Sequence, residues 1–292
     1  MRVLVTGASG FIGCHLVKKL ADEGNEIFEL SRKKTSSSTL TCDLTRKGDL
    51  QIIPHDIDYV IHLAAQIVDD PSSMLNNNVT GTMNLLEYLH KVGIDKIVYF
   101  SSWNVYGFNP STIPMHEELI PNPGDPYSIT KYMGELLCKV YEKEYGFKVT
   151  VLRPSYIYGQ GMRRTTAIAR FIEKAIRNED IILFNNGEDE LDFVHVTDVV
   201  DATSKSIHGP SGIFNIATGK PMKTREAASL IIDAIKSKSR LIIKEGKAKQ
   251  LVCSIEKAKE ELGYIAKYSP ETGIPSFAQD EATRNKNYAK MR

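Results

Sequence analysis

An α/β fold is predicted, a doubly wound parallel sheet with a smaller C-terminal α/β lobe, and three observations predict it. Short β-rich runs alternate with amphipathic helical stretches through the first half of the chain. Several of those runs are apolar enough for burial on both faces. A glycine-rich turn joins the first run to the first helical stretch. The strand candidates are residues 3–5, 26–30, 59–63, 96–100 and 148–152, with helical patterns at 12–23, 74–92 and 127–145.

After Arg153-Pro154 the pattern changes to shorter, mixed elements. The boundary is therefore placed at 1–154 for the sheet core and 155–292 for most of the second lobe, with a stretch around 190–217 returning to the core. Asn185-Asn186-Gly187 reads as a turn between strands and Gly209-Pro210-Ser211-Gly212 as a loop. Residues 257–262 form a short helical pattern that Gly263 closes. The Lys/Arg-rich stretch after Ala278 reads as a solvated helix or a frayed end.

Composition narrows the function classes. The 292 residues are 42% hydrophobic and 25% charged, ordinary values for a globular chain. A net charge of +1 gives no basic field for nucleic acid or an anionic membrane surface. No apolar run approaches the roughly 20 residues that a membrane helix needs. Met1-Arg2-Val3-Leu4-Val5 begins directly as a strand, which leaves no room for a signal peptide. Cys14, Cys42, Cys138 and Cys253 are scattered, with no Cys-x-x-Cys, so neither a disulfide framework nor a metal site is expected. The chain reads as cytoplasmic.

Thr6-Gly7-Ala8-Ser9-Gly10-Phe11-Ile12-Gly13 lies between the first strand and the first helix. Gly7, Gly10 and Gly13 permit a tight turn, close approach of backbone to a pyrophosphate, and close helix–strand packing. The N–H groups at that helix start, with Phe11 and Ile12, complete a dinucleotide site of Rossmann type. The end of the second strand chooses the cofactor, because an acidic residue there bonds the ribose 2′-hydroxyl of NAD and a cation accommodates the 2′-phosphate of NADP. Here the chain reads Leu30-Ser31-Arg32-Lys33-Lys34, and strand alternation turns Glu29 away. Ser31 and Arg32 thus favour NADP(H) over NAD(H); the competing reading is a plain solvated run of cations.

Tyr127-Ser128-Ile129-Thr130-Lys131 places Tyr and Lys four apart on one helix face. A phenol with a pKa near 10 is a poor base at neutral pH, and a neighbouring ammonium is expected to lower that pKa. Among 13 tyrosines such a spacing arises by chance, so its place in the chain carries the weight. The pair follows the 96–100 strand, which ends in Ser101-Ser102, and substrates of open α/β sheets sit at that edge.

These landmarks make the chain similar to the extended short-chain dehydrogenase/reductases, the nucleotide-sugar epimerases and dehydratases, over nearly its whole length. Besides the glycines, the shared residues are Asp43-Leu44, His62-Leu63-Ala64-Ala65, Asn78-Val79-x-Gly81-Thr82, Ser101-Ser102 with Val105-Tyr106-Gly107, and Tyr127-x-x-x-Lys131. Later come Arg153-Pro154 with Tyr158-Gly159, Asp192-Phe193-Val194-His195-Val196 with Asp198, and Lys257-Ala258 with Glu261-Leu262-Gly263. The resemblance implies that Tyr127 is the acid/base, that Lys131 orients the nicotinamide ribose, and that Ser102 hydrogen-bonds the reacting oxygen. It implies adenine contacts at Asp43 and Leu44, pyrophosphate contacts at Ala64 and Ala65, and a place for Leu63 in the cofactor site. Asn78, Ser101 and Pro154 complete the cofactor set. A homodimer built on the helices near 74–92 and 127–145 is also implied.

Three departures bear on substrate. Trp103-Asn104 stands where dehydratases of the group carry Asp-Glu, which speaks against 4,6-dehydration. Tyr156 replaces an Asn that contacts the sugar nucleotide, and Leu191 replaces an Arg common in diphosphate binders. Arg163 or Arg164 could supply that cation. Trp103, Asn104, Tyr156 and Arg163 are the candidate substrate residues. The expected activity is a 4-epimerase or 4-keto-reductase acting on a nucleotide sugar. The alternatives are an NADPH-dependent reductase of a small ketone or aldehyde, and a non-catalytic cofactor sensor. His62 and His195 read as structural, with Thr197 or Asp198 capping a helix beside the latter, and Asn76-Asn77-Asn78 as a possible helix cap.

Overall fold

A computed structural model describes residues 1–34, 36, 38–67 and 70–290, with side chains to 285. The first half runs β1 (Arg2–Thr6), α1 (Phe11–Asp22), β2 (Glu26–Ser31), β3 (Thr39–Thr41), β4 (Tyr59–His62), α2 (Pro71–Met74), α3 (Gly81–Val92), β5 (Lys96–Phe100), α4 (Pro126–Tyr145) and β6 (Lys148–Pro154). The second half runs β7 (Tyr156–Tyr158), α5 (Ala167–Ile176), β8 (Ile181–Leu183), β9 (Glu190–Leu191), β10 (Phe193–His195), α6 (Val196–His208) and β11 (Gly212–Ile216). It closes with β12 (Met222–Lys223), α7 (Thr224–Ile235), β13 (Leu241–Ile243), β14 (Gln250–Leu251), α8 (Glu256–Leu262) and α9 (Pro270–Lys290).

Seven strands form one sheet in the order β3-β2-β1-β4-β5-β6-β11, every neighbouring pair parallel. The chain winds outward through β1, β2 and β3, then returns beside β1 as β4. That reversal opens a crevice at the carboxyl ends of β1 and β4, where ligands of such sheets bind. β3 is three residues long and was not foreseen, since so short a run carries no periodicity. β11 brings the 212–216 segment back to the central sheet, beside β6.

The period-2 pattern of the strands divides the core. Val3, Val5, Ile61, Val98 and Leu152 face Leu16 and Leu20 of α1 and Val199 and Val200 of α6. Leu4, Val60, Ile97, Tyr99 and Val151 face Leu85, Leu86 and Leu89 of α3 and Cys138 of α4. A third cluster lies in the second lobe, where Phe171 and Ile172 of α5 meet Ala227 and Ile231 of α7 and Ile274 and Phe277 of α9.

One expected helix divides. The 74–92 pattern becomes α2, a π-helical turn at Leu75–Thr80, and α3, without a break in the helical path. Asn76-Asn77-Asn78 therefore does not cap. Asp70 does, accepting from the backbone N–H groups of Ser72 and Ser73 at 3.2 and 3.0 Å, with Pro71 at the first helical position. At β10–α6 the cap is likewise neither Thr197 nor Asp198. His195 Nδ1 accepts from the Thr197 N–H at 3.3 Å, while Asp198 accepts from the N–H groups of Lys267 and Tyr268. The stretch after Ala278 continues α9 as helix to Lys290.

Helix α4 is set down precisely enough to carry chemistry. Asp125 accepts from the Ser128 N–H at 3.0 Å, and Ser128 returns the capping box to the Asp125 main chain. Pro126 starts the helix and Gly146, in left-handed conformation, ends it. A buried ion pair then ties α4 to the sheet: Arg153 on β6 donates to both carboxylate oxygens of Glu135 at 2.9 and 2.6 Å. With side chains only 2% and 5% exposed, neither partner can be lost without stranding a charge, a change of roughly 3–5 kcal/mol.

Candidate active site

The crevice holds two adjoining pockets that share Gly7, Gly10, Leu63 and Ala65. The first is bounded by the glycine turn, the end of β2 and the Asp43-Leu44 segment. Gly13 explains why the turn needs glycine. A Cβ there would lie 2.3 Å from the Gly7 carbonyl oxygen, so any side chain would drive α1 away from β1. At the far end of this pocket lie Ser31, Arg32 and Lys33. Ser31 Oγ meets Ser9 Oγ at 2.9 Å, which links the end of β2 to the glycine turn. Glu29 does not line the pocket; its carboxylate accepts from the hydroxyls of Ser36 and Ser38. Asp43 is turned inward to Thr45, accepting from its N–H and hydroxyl. Burial alone would raise the pKa of Asp43, but those bonds, with Arg46 and Arg32 nearby, hold it below the usual value.

The second pocket lies beyond the start of α1 and contains Phe11, Ile12, Ser101, Ser102, Tyr127, Lys131 and Pro154, with Trp103, Asn104, Tyr156 and Arg163 on its outer side. Ser102 closes a 3-10 turn over Trp103–Tyr106, its Oγ accepting from the Asn104 N–H at 3.3 Å. Trp103 and Tyr156 stack with centroids 4.7 Å apart and planes 34° apart, and Phe108 meets the Trp103 edge. The result is an aromatic wall in the pocket that Tyr127 also lines.

Lys131 is 2% exposed, with Nζ 4.4 Å from the Tyr99 ring centroid. Tyr99 reaches that place because residue 134 is glycine: a Cβ there would fall 2.0 Å from the Tyr99 hydroxyl. Burial lowers the Lys131 pKa to about 8, against the opposing pull of Cys138 and Glu135. The Tyr99 ring adds a cation–π contact on the order of 2 kcal/mol to the groups that face this ammonium. For Tyr127 the expectation from the sequence does not hold. Its ring keeps some contact with the crevice, yet the surrounding protein pushes its pKa up to about 12, and the cation that opposes the rise is Arg163 rather than Lys131. At neutral pH the phenol is therefore protonated, not a phenolate.

All the expected site residues line one pocket or the other except Asn78. It is 1% exposed behind the crevice, its amide spent on the main chain of Gln66 and on Thr130. Its neighbour Asn77 lines the first pocket instead. Of the two candidate cations, Arg163 lines the second pocket, whereas Arg164 lines a separate groove between α5 and α9. Sequence reasoning missed Ser155, Phe108, Met162 and Phe193, all in the second pocket. Ser155 and Ser101 carry buried hydroxyls with no hydrogen-bond partner among the described residues. Two such hydroxyls at the wall of one pocket fit a polar ligand group such as a nicotinamide carboxamide. Only the position of Ser155, directly after Pro154, could have signalled it. Among the described residues no group of His, Cys, Asp or Glu could hold a metal ion.

Comparison with known proteins now bears on this geometry. Residues 3–217 match the model of the NAD dependent epimerase/dehydratase family. The chain belongs to that family. It is 34% identical to a putative UDP-glucose 4-epimerase of Methanocaldococcus jannaschii, covering 93% of this chain and 95% of that one. It is 35% identical to a GDP-6-deoxy-D-mannose reductase of Pseudomonas aeruginosa, covering 80% and 79%. Among solved structures, a Thermotoga maritima UDP-glucose 4-epimerase with UDP-glucose matches at TM-score 0.89 and 29% identity, over 98% of this chain and 100% of that one. RMD from Pseudomonas aeruginosa complexed with NADPH matches at 0.86 and 27%, over 97% and 99%. This family member is a nicotinamide-dependent enzyme of the epimerase/reductase type.

The buried lysine yields a test. Because its folded pKa of about 8 lies below the ordinary 10.5, the unfolded chain binds more protons between those values, and stability from this group rises with pH across that window. Lys131→Met is expected to stabilise the protein at pH 7 by on the order of 1–3 kcal/mol, the gain shrinking as pH climbs from 8 toward 10.5. Urea unfolding of both proteins at pH 7 and pH 9.5 measures it; an equal loss of stability at both pH values would contradict the buried charge.

Proposed function

We propose that the protein is an NADPH-dependent reductase of the C4 ketone of a nucleotide sugar. The observation that carries this reading is the end of β2. Ser31, Arg32 and Lys33 line the far end of the first pocket together with Asp43, whose carboxylate is engaged by Thr45, while Glu29 at the end of β2 lies outside the pocket, engaged by Ser36 and Ser38. A 2′-phosphate would meet cations and hydroxyls there, whereas a free ribose diol would lack the carboxylate it needs. When bound, the reduced nicotinamide supplies the hydride.

The chain's own residues supply the rest. Tyr127, protonated at neutral pH, donates its proton to the oxygen of the ketone as charge develops on it. The Ser102 hydroxyl hydrogen-bonds the same oxygen. Arg163, which lines the same pocket, holds positive charge near the phenolate that proton transfer leaves, and Lys131 stands one helical turn further along α4. The Trp103–Tyr156 wall takes the sugar ring by stacking, and Arg163 is the cation available to the phosphates. The name of the Methanocaldococcus relative favours a second reading, a 4-epimerase that retains its cofactor.

Two further features accompany the proposal. Helix α4 exposes Ile129, Met133, Leu136 and Val140 at helical spacing, beside Met83 of α3, which supports a homodimer across these helices. Four unpaired cysteines are consistent with the reducing cytoplasm.

NADPH is expected to bind at least about 10-fold more tightly than NADH, as a charge-assisted phosphate contact requires. Ser31→Asp combined with Arg32→Ser is expected to reverse that order, read by cofactor fluorescence; a wild-type preference for NADH would overturn the reductase reading. Tyr127→Phe should abolish ketone reduction and spare cofactor binding. For the dimer, Met133→Glu should yield a monomer in sedimentation equilibrium, and a wild type that is itself monomeric would remove that part of the proposal.

A further inference from the structure

His62 ends β4 with no free ring nitrogen. Nδ1 lies 2.7 Å from Thr6 Oγ1 on the neighbouring β1, and Nε2 lies 2.9 Å from Thr82 Oγ1 on α3. The groups beyond these hydroxyls fix every hydrogen in the chain. The Thr82 hydroxyl donates to the Asn78 carbonyl at 2.5 Å, so its oxygen accepts the His62 Nε2–H. His62 Nδ1 is then a lone pair and takes the Thr6 hydroxyl hydrogen. Thr6 Oγ1 accepts in turn from the Ala64 N–H at 3.2 Å. One tautomer of one neutral ring satisfies all four bonds. Burial, with the Lys131 charge adding to it, keeps the ring neutral by pushing its pKa down to about 3.

The two ends of this chain are places where function is expected. Ala64 lines the dinucleotide pocket. Asn78 sits in the π-helical turn, and its side chain accepts from the Gln66 N–H at 2.7 Å and donates to the Gln66 carbonyl and to Thr130 Oγ1, each at 2.9 Å. The Thr130 hydroxyl donates to the Tyr127 carbonyl at 2.8 Å. The π turn makes this possible, because its wider winding brings Asn78 inward against both Gln66 and α4. The His62 ring also packs beside Tyr99, 5.7 Å between centroids, and Tyr99 is the ring under the Lys131 ammonium.

We propose that His62 is a positioning residue: through Thr6 and Thr82 it fixes the Ala64 edge of the dinucleotide pocket relative to the helical turn that carries Tyr127. The proposal rests on the reading of Tyr127 as proton donor, but its linkage can be tested apart from that reading. His62 itself touches neither pocket. Its effect is on the distance between the held cofactor and the phenol, to which rate is steep, since a displacement of about 1 Å can lower turnover about 100-fold.

The test is Thr82→Val, which keeps shape and removes the hydroxyl, compared with Thr82→Ser, which keeps the hydroxyl. Expected for Thr82→Val is a fall in kcat of at least about 10-fold with KM for the ketosugar changed less than about 3-fold, and NADPH bound several-fold more weakly. Thr82→Ser should stay within about 3-fold of wild type in all three. If Thr82→Val loses only thermal stability, with kcat and NADPH affinity unchanged, His62 is structural and the proposal is overturned. Should Thr82→Val not fold, His62→Gln carries the same comparison against wild type. NADPH affinity by fluorescence, or NADH affinity if NADPH does not bind, decides the linkage even if no ketosugar is turned over; in that case the proposed function fails and the linkage is judged alone.

Discussion

A lysine ammonium almost without solvent, held over the Tyr99 ring beneath helix α4, is the constraint around which the active region is built. Burying that charge is unfavourable, as the depressed Lys131 pKa shows. The fold offsets it by several means acting together. The capping box at Asp125 fixes where α4 begins, and Gly134 lets the helix settle flush on Tyr99. The Glu135–Arg153 pair pins the next turn to β6 while placing a carboxylate near the ammonium. Tyr127 and Lys131 are therefore not a chance pair on an exposed helix but two side chains on the one face that the sheet receives.

Charge placement at the other end of the crevice makes the same kind of argument about the cofactor. Hydroxyl and cation stand together at Ser31 and Arg32: among the described residues Arg32 forms no ion pair within 4 Å, although Asp43 lies near enough to feel its charge, and Glu29 is held by Ser36 and Ser38. A protonated Tyr127 agrees with a donor that acts in the reductive direction. The aromatic wall of Trp103 and Tyr156, the latter at a position where the resembled family often carries Asn, suits the proposed sugar contact to stacking more than to hydrogen bonding.

What the sequence shows of this depends on the length scale of each interaction. Glycine spacing after β1 and the Tyr127–Lys131 separation are local, so both are legible, and β1, β2, β4, β5 and β6 follow from apolar runs. β3 has three residues and no pattern to read. The π turn is invisible because the bonds that accompany it, from Asn78 to Gln66 and Thr130, join residues up to 52 positions apart. The raised Tyr127 pKa was read with the wrong sign because spacing reveals a neighbouring charge but not the depth of burial, and here burial dominates. The cap at His195, where the sequence points to Thr197 or Asp198, and the turning of the Asn78 amide to Gln66 and Thr130 likewise depend on side-chain direction, which spacing does not reveal.

The most direct measurement is to denature freshly purified protein and identify the nucleotide that it releases. A reductase with an exchangeable cofactor should release little nucleotide, and that little should carry the 2′-phosphate of NADP(H). Stoichiometric NAD⁺ or NADH would contradict the account, showing a cofactor that stays through the cycle and Arg32 as a solvated surface cation.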